Sequence, residues 1–210
     1  TTTESAPADT DVVELHRRTI ARVLVGFGAI ATIVLAATGG LLMWGASFSH
    51  DYVHDELAAQ HVFFPSAADL KAEGRDDLVE HADQQVTTGD QAQAYASSIG
   101  GHLEGIAGGK TYSEVDDRGA AAAVTAAREA GASEERIAEL QATADKLKGQ
   151  RDTLFKGETL RGLLLTSYAW GTVGTIANIA AWVALAGAVV MAGLTGAGSL
   201  HLRRTAQLAR

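Results

Sequence analysis

The 210-residue chain has no cysteine, two prolines and few aromatic residues, 6 % in all. Lack of cysteine excludes disulfides, thiolate chemistry and Cys-ligated metals, so any folded part is held by packing alone. Strand-length alternation of β-branched or aromatic residues with polar ones is nearly absent, and the expected fold is therefore all-α. No GxSxG elbow and no GxGxxG dinucleotide fingerprint occurs, and no enzyme class is indicated. Charge is missing from two long stretches. Residues 23–44 and 162–200, 22 and 39 residues long, contain no Lys, Arg, Asp, Glu or His.

A bilayer core takes about 20 mostly apolar helical residues to cross, and the two runs lack the alternation of a barrel strand. The expected architecture is two transmembrane helices enclosing an extracytoplasmic helical domain. Residues 1–22 form an N-terminal tail and 23–44 the first span. Residues 45–161 form the enclosed domain, 162–200 a long helix containing the second span, and 201–210 a basic tail. The first run is too long for a signal peptide's 7–15-residue apolar region, which favours an uncleaved anchor. The second, as a continuous helix, would extend about 58 Å and so exceed one perpendicular crossing of about 30 Å. Tyr168 and Trp170 suit its outer interface, as Trp44 suits that of the first.

Orientation follows from the cations. Arg17, Arg18 and Arg22 precede the first span, and Arg203, Arg204 and Arg210 follow the second. Lys and Arg near span ends stay cytoplasmic, which places both termini inside. Residues 47–161 hold 21 acidic and 11 basic side chains, a formal charge of −10. That charge excludes nucleic acid as a partner of the outer domain. Spans without ionisable residues also make a proton or ion pathway through this chain alone improbable on physical grounds.

Small residues recur at four-residue spacing in both spans: Ala36 and Gly40, Ala177 and Ala181, then Ala184, Ala188 and Ala192. Such spacing lets helices approach closely, where packing replaces the hydrophobic effect. It fits the two spans on each other, or one of them on another protein. Between the spans the pattern predicts helices broken by Gly and Asp. The first span's helix runs on to about Gln60. A second helix covers 67–86 with a break at Gly74. A third begins with Asp90 as N-cap and ends at Gly108 and Gly109. An Ala-rich stretch at 119–131 is followed by a Ser133-capped amphipathic helix through Ile137, Leu140, Ala144, Leu147 and Leu154, with Gly157 a flexible joint before the second span.

His50 and His54 fall on one helical face with Asp51 beside them. Histidines at i and i+4 are good geometry for a divalent metal, and a carboxylate could complete the site. The alternative is a solvated helix at the membrane surface. Gly108, Gly109, Lys110 and Thr111 look like the end of a phosphate loop, but Glu104 stands where that motif needs glycine.

Three segments carry a resemblance. Residues 53–60, from Val53 to Gln60, with Val62, Phe63, Phe64 and Pro65; residues 109–115, from Gly109 to Val115; and residues 154–165, from Leu154 to Leu165, resemble motifs of a family of small actinobacterial two-span membrane proteins. The resemblance covers most of 50–175, with 118–150 departing from it. It implies the two-span topology and the plasma membrane of a Gram-positive, high-G+C bacterium, and it supplies no activity. The first and third segments adjoin the spans, which would bring them together at the outer surface. Phe63, Phe64, Glu158, Arg161, Tyr168, Trp170, Gly171 and Gly174 are the expected partner interface there. The expected function is a non-catalytic accessory or scaffold subunit of a larger membrane complex, a respiratory one being the first guess. Its partners would be other membrane proteins and the lipid bilayer. A homo-oligomeric membrane module and an extracytoplasmic metal-binding protein using His50 and His54 are the alternatives.

Overall fold

The computed structural model of the protein describes residues 8–208, with side chains from Thr19 to Thr205 and at Gln207. Residues 1–7, the side chains of Arg17 and Arg18, and Arg210 lie outside the described part. Among the described residues five α-helices and one 3₁₀ helix follow one another: α1 (Ala8–Ala58), α2 (Ala67–Ala72), the 3₁₀ helix (Asp76–His81), α3 (Gly89–Ile106), α4 (Asp117–Glu129) and α5 (Glu134–Leu208). Among the described residues there is no named strand, only an isolated antiparallel bridge between Phe63 and Gln85. The all-α expectation holds. Two helices, α1 and α5, are long and apolar enough to cross a membrane. By contact density the chain divides into residues 1–48 with 173–210, and residues 49–172.

In the first unit, the apolar parts of α1 and α5 pack antiparallel. Gly28 faces Thr195, Leu35 faces Gly187, and Gly39 faces Leu185 and the Ala181 carbonyl. A Cβ on Gly39 would stand 2.7 Å from Leu185 Cγ, so the helices meet here because glycine is present. Of the small residues expected on the second span, Ala181 and Ala188 are buried and Ala177 and Ala184 half-buried, whereas Ala192 is exposed. The first span departs from its expectation. Ala36 and Gly40 are exposed, and nothing lies within 4 Å of a Cβ on Gly40. The contact face of α1 runs instead through Gly28, Thr32, Leu35 and Gly39. Thr32 and Ser199 return their hydroxyls to carbonyls of their own helix, at 2.8 Å each, which satisfies them without a neighbour. Large apolar side chains point outward around both helices, among them Phe27, Ile33, Leu41, Ile179, Trp182 and Val189.

The second unit is held by two small cores. Val53, Leu57, Phe64, Val86, Ala92, Ala96 and Leu164 form one, and Leu103, Ala107, Val115 and Leu154 the other. Helix α3 runs antiparallel to α5, and glycines set the distance. Gly89 rests on the α5 backbone at Tyr168 and Gly171, Gly100 on the Arg161 side chain, and Gly157 under Leu103. Gln150 Nε2 closes the α3 C-terminus by donating to the Ile106 carbonyl at 2.8 Å. Gly157 is thus a close-packing position inside a continuous helix, not a joint. One glycine costs a helix only about 1 kcal/mol relative to alanine, too little to break one packed on both sides of it.

The expected 67–86 helix is also corrected. It ends at Ala72, Gly74 takes φ +71°, and a 3₁₀ turn follows. Residues 84–86 then run extended beside 62–64, with Phe64 N–H donating to Gln84 O and Val86 N–H to Val62 O. The Pro65 carbonyl accepts from the Asp83 N–H at 3.3 Å at the end of this short ladder. Helix α3 is capped by Thr88, not Asp90: Gln91 N–H donates to Thr88 Oγ1, and Gln91 Oε1 accepts from the Thr88 N–H. Its end at Gly108 and Gly109, both with positive φ, is as expected. Helix α4 lies antiparallel on the first turns of α5 through a turn at Gly131, with Arg151 bonding Asp117 and Arg128 bonding Gln141.

Candidate functional site

The segment after the first apolar run closes on itself. Val53 and Leu57 point the last turns of α1 into the core, and Gln85 Nε2 donates to the Ala58 carbonyl at 2.7 Å, capping that helix. His61 takes φ +51° to turn the chain. The two phenylalanines that follow then separate. Phe63 is 53 % exposed, while Phe64 is 3 % exposed, stacked on His81 and edge-on to Tyr95. Phe64 is therefore a core residue and offers nothing to a partner. Extended backbone explains the split, because successive side chains point to opposite faces.

On α5, Glu158 and Arg161 pair with each other, with Arg161 Nη1 at 3.0 Å from Glu158 Oε2. Arg161 also lies under Gly100, and its Nε is buried without a hydrogen-bond partner. Tyr168 and Gly171 contribute backbone to the Gly89 contact. The Trp170 carbonyl accepts from Ser49 Oγ at 2.6 Å, and the residue stays 52 % exposed. Gly174 is buried in the first unit. Of the eight expected interface residues, Phe63 and Trp170 present the largest apolar surface.

His50 brings Nε2 to 3.3 Å from the Gly171 carbonyl, which directs the ring along α5. His54 and Asp51 are exposed on α1. Among the described residues no three His, Asp or Glu side chains converge as a metal site would require. The structure does not join a third ligand to the histidine pair.

Two polar clusters were not legible from the sequence. In one, Arg75 holds Asp77 through two hydrogen bonds of 3.0 and 2.8 Å and reaches Ser97 Oγ at 3.1 Å. His102 stands beside it, with Nε2 3.6 Å from Glu73 Oε2 and Nδ1 3.1 Å from the Ser98 carbonyl. The Arg75 bonds hold the Asp77 carboxyl below its ordinary range. In the other, Arg151 donates to Asp117 and lies 4.5 Å over the Tyr112 ring, which also meets Phe155 at a tilt with ring centroids 5.7 Å apart. Arg151 likewise lowers the Asp117 pKa, and the Thr111 N–H and hydroxyl lower that of Glu114. Both clusters join residues far apart in sequence, which no local pattern announces. In each an arginine pairs with an aspartate, Arg75 with Asp77 and Arg151 with Asp117, and the guanidinium reaches from one segment to another.

Comparison with known proteins returns no matching family model, and no curated protein or solved structure matches the chain significantly.

Proposed function

We propose that the protein is an integral membrane protein that serves as a non-catalytic accessory or scaffold subunit of a larger membrane assembly. One observation carries this reading. The two apolar helices use Gly28 and Gly39 on each other and leave a second small-residue face of α1 uncovered. Gly26, Ala29, Ala36 and Gly40 are exposed there around Ile33, and no atom lies within 4 Å of a Cβ at Gly26 or Gly40. In lipid, small residues permit close approach of another helix, whereas a lipid-facing helix gains contact area from large ones. In this reading both spans cross the bilayer, the termini are cytoplasmic, and the acidic segment 45–161 is outside. The exposed side chains of Phe63 and Trp170 offer apolar surface of their own in the second unit, and a respiratory complex is the natural class of partner.

The test is purification of the tagged full chain in a mild detergent, with mass spectrometry of co-migrating subunits. A fixed stoichiometric set that is lost in Gly40→Leu but kept in Ile33→Leu supports docking on this face. A chain that runs alone, or partners indifferent to Gly40→Leu, refutes it. A homo-oligomer broken by the same substitution would make the module self-assembling.

A further inference from the structure

At the end of the first unit that carries the arginines, an open groove of about 300 Å³ lies between α1 and α5. Ala21, Gly28 and Gly198 line it together with Leu24, Leu194 and Leu202. The recess is a consequence of sequence: three small residues fall where the flanking leucines stand up. Its lining is almost wholly apolar, with His201 at one end. Just beyond it the character changes. Arg22 follows Ala21 on α1, Arg203 and Arg204 follow Leu202 on α5, and all three side chains are exposed. No acidic residue occurs on α1 between Thr19 and His50, or on α5 after Glu158. The acidic residue nearest to Arg22 along α1 is Glu14, eight positions earlier.

We propose that this groove holds an anionic phospholipid, one acyl chain lying between the helices and the phosphate meeting Arg22, Arg203 and Arg204. The inference rests on the membrane reading above. Inside a bilayer an apolar recess is filled by hydrocarbon, because a void forfeits the contacts of its lining. What selects the lipid is charge complementarity. Basic residues at the membrane surface attract anionic lipid by roughly 1 kcal/mol each, or about fivefold in affinity. A zwitterionic headgroup gains far less from three guanidinium groups, since its own ammonium repels them. The occupant is a lipid rather than free phosphate because the cations directly follow residues that line an apolar recess, Arg22 after Ala21 and Arg203 and Arg204 after Leu202.

The experiment takes the detergent-purified full chain into nanodiscs of phosphatidylcholine containing a minor share of phosphatidylglycerol, followed by native mass spectrometry of retained lipid. Wild type should keep one phosphatidylglycerol per chain, enriched over its bulk share by tenfold or more. Arg22→Gln/Arg203→Gln/Arg204→Gln should lose the enrichment yet still retain lipid, now zwitterionic. Ala21→Phe, which puts a ring on the lining of the groove, should lose the tightly held lipid of either kind. Retention in proportion to bulk composition, or an unchanged preference in the triple variant, would overturn the proposal while leaving the membrane reading intact. Failure of wild type to enter nanodiscs of any composition, or its extraction from native membranes by alkaline carbonate, would remove both.

Discussion

Phe64 separates a core role from a surface role at one position. It is 3 % exposed, with its ring centroid 5.0 Å from His81 and 5.3 Å from Tyr95, while its neighbour Phe63 is 53 % exposed. Truncating a buried phenylalanine to alanine costs about 3–5 kcal/mol, from lost transfer free energy and the cavity left behind. The edge-on pair with Tyr95 accounts for about 0.5–1.5 kcal/mol beyond the area buried. A truncated exposed ring changes stability by about 0.5 kcal/mol or less. The Phe64 and Val86 amides are bonded across the short ladder, to Gln84 O and Val62 O, so they report on whether this core is closed. Hydrogen exchange of those two amides in the full chain in detergent should accelerate about a hundredfold or more in Phe64→Ala, since 1.4 kcal/mol is a factor of ten. Phe63→Ala should leave both rates within about threefold of wild type. Equal acceleration by the two substitutions, or none by Phe64→Ala, would refute the placement of Phe64 as the element that fastens the 62–64 segment to α3.

Two glycines of α5 should respond oppositely to alanine. Gly149→Ala meets nothing within 4 Å and should stabilise by about 0.5–1 kcal/mol, whereas a Cβ on Gly157 would stand 2.5 Å from Leu103 Cδ2 and should cancel or reverse that gain, both read as the unfolding midpoint in detergent. Thr88→Ala should cost about 1 kcal/mol through loss of the cap, and Asp90→Ala clearly less, measured by exchange of the first-turn amides of α3. Asp117 has its pKa lowered below 3.8 by Arg151, so its contribution to stability is complete above pH 3.8 and is lost as pH falls through the lower folded value. Asp117→Asn should flatten that part of the acid-unfolding curve followed by circular dichroism, and a curve unchanged in shape would count against the pair.

Much of this architecture was legible because it depends on long-range averages along the chain. Absence of charge over 22 and 39 residues, and absence of strand alternation, dictate two long apolar helices and an all-α fold whatever packs against them. Local chemistry was legible where one residue type serves one geometry, as with the positive φ of Gly108 and Gly109 or the Ser133 hydroxyl accepting the Arg136 N–H. What could not be read is which neighbour a small or apolar residue meets. Gly39 and Gly40 are identical in type and adjacent in sequence, yet a 100° rotation puts one against Leu185 and the other outside the pair. Phe63 and Phe64 divide in the same way through the alternation of extended backbone. Gly157 reads locally as a break, but the space it leaves is taken by Leu103, so its meaning resides in α3. A common cause runs through these cases: glycine spacing, phenylalanine pairs and charge clusters acquire a role only from the partner helix. For the same reason the fit proposed for the exposed small-residue face of α1 would be specified by side chains of the partner, which this chain's sequence does not contain.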